Sequence, residues 1–250
     1  MEAIFGLHIN FMRIKNVFRT ICCLISICCS LSVHAYRVEP MVSEMEPFGK
    51  KAQMVMRVDN TTTQSLTVEL LPFSMVMDEY GNETIEPADA DLLVVPVTAV
   101  IEPGRSQSVM VRYLGEPAID ESKSYRVSVK QVQVDRASSE QANVGLLLQF
   151  NTLINIKPKN TNPHLTVTNI EAQGEAWHIE VTNSGNSYGR INKTNWKVSD
   201  GVQSVSLKGS EIGKLIDGTL VQPQKKRIFT MKPLEGFDLS SLSIEVDSLE

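Results

Sequence analysis

Asn143-Val144-Gly145-Leu146-Leu147-Leu148-Gln149-Phe150-Asn151-Thr152-Leu153-Ile154-Asn155-Ile156-Lys157 decides the fold. In an extended chain successive side chains point to opposite faces. One face then carries Val144, Leu146, Leu148, Phe150, Thr152, Ile154 and Ile156, nearly all apolar. The other carries Gly145, Leu147, Gln149, Asn151, Leu153, Asn155 and Lys157. The run is longer than the usual strand of about five or six residues, so it can project beyond its own sheet. Periodicity by itself is equally satisfied by a strand that lies wholly in a core.

Outward from that run, apolar residues recur with a period near two from Arg37 onward, in short stretches broken by Gly, Pro, Asn and Asp. This is a strand-and-turn pattern. The clearest strands are Gln53–Val58, Leu66–Phe73, Ser108–Leu114, Tyr125–Val134, Val144–Ile156, Leu165–Ala172, Trp177–Thr182 and Arg190–Val198. Turn signals such as Asp59-Asn60, Pro103-Gly104 and Asp200-Gly201 separate them, and no segment shows a helical period. The expected class is all-β, with β-sandwiches of the immunoglobulin type. The polar, proline-bracketed segment Pro158–Pro163 reads as a linker, giving domains at 36–157 and 164–250. So short a linker restricts the interdomain angle and leaves a cleft, where ligands tend to sit.

Residues 1–35 read as an export signal. Arg13, Lys15 and Arg19 precede the apolar run Ile21–Ile27, and Val33-His34-Ala35 suits cleavage after Ala35. Met12 is an alternative start. The apolar run is too short for a comfortable membrane span, so a soluble exported product without stable membrane insertion is expected. All four cysteines (Cys22, Cys23, Cys28 and Cys29) lie in that segment, and bulky Ile27 before Cys28 argues against a lipid anchor. The first 35 residues hold three of the 24 basic and one of the 29 acidic residues, so the remainder carries 21 against 28, a formal charge of −7. Nucleic acid is therefore not expected as a partner. The short basic block Lys225-Lys226-Arg227 reads as a solvated face.

Several chemical signals are weak. Gly185-Asn186-Ser187-Tyr188-Gly189 matches a nucleophile elbow, which needs a strand-to-helix turn, whereas its surroundings read as β-turn-β. His164 and His178 have no neighbour at metal-ligand spacing, so neither a metal nor a cofactor is expected, and no enzyme. Trp177 and Trp196 are expected in the second core. The pairs Met54/Met56 and Met75/Met77 fit either an adaptable binding surface or packing.

A family resemblance covers most of the chain. Val94-Val95-Pro96, then Ile101-Glu102-Pro103-Gly104, Gln107 to Arg112 and Ser124-Tyr125-Arg126-Val127-Ser128-Val129 resemble, in order and spacing, the first domain of PapD-like periplasmic pilus chaperones. The resemblance implies two immunoglobulin-like domains set as an L or boomerang around a cleft. It also implies donor-strand complementation of a pilus subunit that lacks its last strand, followed by delivery to an outer-membrane usher. Carried onto this chain, the donor residues are Val144, Leu146, Leu148 and Phe150. The family holds the subunit's terminal carboxylate with an Arg on the first strand and a Lys on the last. Here Val38–Glu44 contains no arginine and the lysine's counterpart falls near Leu153. Arg112 and Lys157 are the substitute pair, with local capping and a solvated linker side chain as their alternative roles. This departure, with the absence of cysteines after residue 35, resembles the archaic or alternative branch. A structural or adhesive pilus subunit built from immunoglobulin-like domains is the competing reading.

Overall fold

A computed structural model describes residues 36–132 and 147–248. The donor positions Val144 and Leu146 lie outside the described residues, as do residues 1–35. The first half contains β1 (Arg37–Glu39), β2 (Val42–Met45), β3 (Gln53–Asp59), β4 (Leu66–Met77), β5 (Glu83–Pro87), β6 (Leu92–Val95), β7 (Thr98–Ile101), β8 (Ser106–Tyr113), β9 (Lys123–Gln131) and β10 (Gln149–Ile156). The second contains β11 (Leu165–Gln173), β12 (Ala176–Asn183), β13 (Gly189–Arg190), β14 (Thr194–Ser199), β15 (Ser204–Leu207), helix α1 (Gly209–Leu215), β16 (Leu220–Val221), β17 (Lys225–Met231) and β18 (Ser243–Ser248).

Two sheets face each other in the first half, ordered β1-β3-β8-β6 and β2-β10-β9-β4-β5, with β7 added to β4. Alternation builds this sandwich. In β8, Val109, Val111 and Tyr113 are buried while Met110 and Arg112 face out; in β4, Leu66, Val68 and Leu70 point inward. These residues join Met56, Val58, Tyr125, Val127, Ile154 and Ile156 in one core. At roughly 25 cal/mol per Å² of apolar surface removed from water, such burial is the dominant stabilising term. The second half forms sheets β11-β12-β17 and β15-β14-β18, with a small β13-β16 pair. Its separate core holds Trp177, Ile179, Val181, Trp196, Val198, Ile212 and Phe229. Both tryptophans are therefore packing residues.

Where the sequence suggested no helix, α1 makes two turns. Its start is stabilised by Glu211, whose Oε2 accepts from the backbone N–H of Lys208 at 2.8 Å. Two turns are too short to set up a helical period, and α1 contributes only Ile212 to the fully buried core. The basic block also departs from expectation. Lys226 does sit in the open, pairing with Glu79 at 3.2 Å and Glu180 at 2.8 Å, but Arg227 is buried. Its guanidinium lies 4.9 Å from the Phe229 ring centre and donates to the carbonyls of Leu220 (2.9 Å) and Asp217 (3.3 Å). Alternation on β17 turns every second side chain inward, so a solvated reading of all three cations could not hold.

The two sandwiches touch through a small apolar cluster of Met75, Met77, Leu153 and Leu220, with Tyr188 against it. Methionine suits this irregular seam because its unbranched side chain adapts to gaps. Met56 is a core residue and Met54 packs against that core, so packing explains all four paired methionines. Beside the cluster the Gln222 side chain behaves like an extra strand residue. Its Oε1 accepts from Met77 N at 2.8 Å and its Nε2 donates to Met75 O at 2.9 Å. β9 stops pairing with β4 at Ser74, so the amide fills the edge that β9 leaves open.

Candidate functional site

The decisive geometry is the uneven flanking of β10. On one side it pairs antiparallel with β9 along its whole length, Gln149 to Ile156. On the other, β2 covers only Leu153 to Ile156, in parallel. Among the described residues, the first half of β10, Gln149 to Thr152, has no strand on that side. Leu148 O accepts from Gln131 N at 3.0 Å and Leu153 N donates to Met41 O at 2.8 Å. Even-numbered backbone groups thus serve β9, and the backbone groups of Gln149 and Asn151 point to the open edge. Both residues are exposed. Edges without a neighbouring strand are templates for another strand.

Side chains at this edge are apolar on one face. Leu148 and Phe150 are half-buried and pack against the end of the first core, on the same face as the buried Thr152, Ile154 and Ile156. The Phe150 ring meets Tyr36 edge-on, centroids 4.8 Å apart. Tyr36 in turn donates to Val129 O (2.8 Å) and shares Leu148 O (3.0 Å). Burial pushes its hydroxyl up to about 12, so it remains a donor at ordinary pH. The core of the first sandwich therefore ends in two partly covered apolar side chains beside a backbone edge that no strand covers, at which the Asn151 carbonyl accepts from Arg126 Nη1 at 3.4 Å.

The other feature is a cavity of about 670 Å³ at the junction of the two halves. Lys157, at the end of β10, lines it together with Arg190 and Lys193 from the second half and Glu44 from β2. Among the described residues none of these three cations makes a side-chain hydrogen bond or ion pair, and Arg190 Nε is buried without a partner. Behind the cavity lining, the buried Asn183 ties the neighbouring turns together. Its Nδ2 donates to Ser187 O (2.8 Å), Val221 O (3.2 Å) and Gln222 O (3.3 Å), while its Oδ1 accepts from His164 N (3.0 Å) and Gly185 N (3.1 Å). Gly185 is needed there because a Cβ would collide with the linker carbonyl of Asn162. Unpaired cations in a recess are suited to a carboxylate.

Solved structures share this architecture. The class 5 fimbriae chaperone CfaA matches with a TM-score of 0.54 at 15% identity, over 85% of this chain and 99% of that one. The YadV chaperone matches at 0.54 and 12%, over 84% and 90%. A chain of the CsuC–CsuE chaperone–tip adhesion subunit pre-assembly complex, from the archaic chaperone-usher Csu pili of Acinetobacter baumannii, matches at 0.51 and 12%, over 78% and 89%. The fold is that of the fimbrial chaperones. No protein-family model and no curated protein matches the sequence.

In this fimbrial-chaperone fold the expected site residues are not all brought together. Lys157 lines the cavity, but Arg112 does not. It stands on the outward face of β8 in the opposite sheet, between Gln53 and Leu93. Next to it runs an exposed apolar row of Val55, Met110 and Val95, one residue from each of three adjacent strands. Leu153 is buried in the interdomain cluster. Arg190 and Lys193 were missed because they belong to the second half, and only the tertiary fold carries them to the end of β10. Their one sequence signal is two cations around Ile191-Asn192, two strands beyond the linker. Ser187 is buried in the connection from β12 to β13, so a strand and not a helix comes next, and its Oγ reaches only Tyr188 O at 3.5 Å.

Proposed function

We propose that the chain is an exported, periplasmic assembly chaperone that binds a pilus subunit by lending it the open edge of β10, with Val144, Leu146, Leu148 and Phe150 as donor residues, and then delivers it to an outer-membrane usher. The observation that carries this reading is the open edge of β10 at Gln149 and Asn151, beside the half-covered Leu148 and Phe150. A subunit lacking one strand has unpaired backbone groups and an open core. Gln149 and Asn151 would supply the ladder, while Val144, Leu146, Leu148 and Phe150 continue the apolar row into that core. The terminal carboxylate of the subunit would sit in the cavity against Lys157, Arg190 and Lys193, with Arg112 taking no direct part. The row Val55, Met110 and Val95 lies on the other sheet, free for a second partner while the edge is occupied. A pilus subunit, the competing reading, is less well supported, because the chain has two sandwiches, each with its own core.

The test is recovery of a bound subunit. A tagged protein from a periplasmic extract of its own cells is expected to bring with it a small β-rich protein in one-to-one ratio. Leu148→Asp should remain folded and lose that partner. Equal recovery with Leu148→Asp and Leu146→Asp would remove the donor-strand assignment.

A further inference from the structure

Glu44 is the only acidic side chain among the described residues that line the cavity, and it makes no ion pair with the cations there. A lone carboxylate facing three unpaired cations should move to one of them unless something holds it. What holds it is Tyr188, whose hydroxyl donates to Glu44 Oε2 at 2.6 Å. Both partners are fixed. Glu44 lies in β2, opposite Asn155 of β10. The Tyr188 ring packs against the interdomain cluster, and its backbone N–H donates to Ser122 Oγ at 2.7 Å. The hydroxyl is therefore aimed from one sandwich onto a carboxylate of the other.

We infer that Tyr188 is a positioning residue that restrains Glu44 and so keeps Lys157 and Arg190 open to an incoming carboxylate. The inference rests on the carboxylate-anchor reading of the cavity. Burial, then the neighbouring Glu44 carboxylate, push the Tyr188 hydroxyl well above its ordinary value, so it keeps its proton and donates throughout the working pH range. Glu44 then acts as a tethered competitor: released, it would occupy the cations by itself; restrained, it leaves them to the ligand. Its position also disfavours ligands that carry extra negative charge near the carboxylate.

The test uses the full chain, with acetate as the probe and acetamide as its neutral control. The readout is the ¹H–¹⁵N resonance of Arg190 Nε, a buried N–H that has no acceptor among the described residues. In the unmodified protein acetate should shift this resonance saturably and acetamide should not. Tyr188→Phe keeps the ring but frees Glu44. Its Arg190 resonance should be displaced before any acetate is added, and half-saturation should need about fivefold more acetate, the effect of one competing ion pair. Adding Glu44→Gln to Tyr188→Phe should return the resonance to its place and bring half-saturation to the unmodified value or below it. Glu44→Gln alone, which leaves the ring and fold untouched, should bind acetate more tightly than the unmodified protein. The inference is overturned if Tyr188→Phe leaves the resonance in place, if the double variant does not recover, or if Glu44→Gln weakens acetate binding. A lack of acetate response in the unmodified protein would instead remove the anchor reading. The displacement in Tyr188→Phe without acetate still reports on the restraint in that case.

Discussion

Single polar side chains fix much of the local geometry, and Asp200 shows how. Its carboxylate accepts from the backbone N–H groups of Gln203 (2.8 Å), Val202 (3.0 Å) and Asp238 (3.2 Å), tying the β14–β15 turn to the segment before β18. These bonds favour the ionised form and hold its pKa down to about 2. A depressed carboxylate contributes stability that is complete above the unfolded value of about 3.9 and is lost as pH falls toward the folded one. Asp200→Asn should therefore melt below the unmodified protein at neutral pH, with the gap closing between about pH 4 and pH 2. Calorimetry over that range checks it; a gap independent of pH would show that the charge is not the cause. Asp200-Gly201 was legible in sequence as a turn. That its carboxylate reaches Asp238, far along the chain, was not.

At the scale of the element, β10 holds two halves with different duties. Leu153 to Ile156 are flanked on both sides, whereas Gln149 to Thr152 are flanked on one. Proline, which lacks the N–H donor, discriminates the two edges. Asn151→Pro removes a donor that faces the open edge, so the protein should fold with nearly unchanged stability and lose its subunit. Thr152→Pro removes a donor that serves β9 and should destabilise the fold by about 3 kcal/mol. Equal destabilisation by the two, read from denaturant unfolding, would mean that the open edge is misassigned. Alternation announced this strand and its apolar face, because a period of two survives in sequence whatever the strand pairs with. Which neighbour each edge meets is a long-range fact. The short strands β1, β2, β5, β6 and β7 were hidden for a related reason, being too brief to show a period, and the exposed β5 has almost no apolar contrast.

Across the whole molecule, two cores are joined by few contacts, and the Gln222 amide is the most specific of them. Without it, Met77 N–H and Met75 C=O would lie unpaired in the seam, each costing about 1–3 kcal/mol. Gln222→Ala is expected to loosen the seam so that the halves unfold in two calorimetric steps where the unmodified protein unfolds in one. A single step at unchanged temperature would show that the amide does not couple them. The two-sandwich class was legible from strand spacing and a proline-bracketed linker. The cation cavity was only half legible: Lys157 ends a recognisable strand, while Arg190, Lys193, Glu44 and Tyr188 converge from β2 and from the turn region after β12 only once both halves have folded.

The lent edge at Gln149 and Asn151 is open to one direct measurement, amide hydrogen exchange at residues 149–152 in the free chain and in the complex purified with its subunit. Gln149 and Asn151 should exchange quickly when free and become strongly protected when bound. Phe150 and Thr152, already bonded to β9, should be protected in both states. A complex in which the Gln149 and Asn151 amides still exchange at the free rate would contradict strand lending.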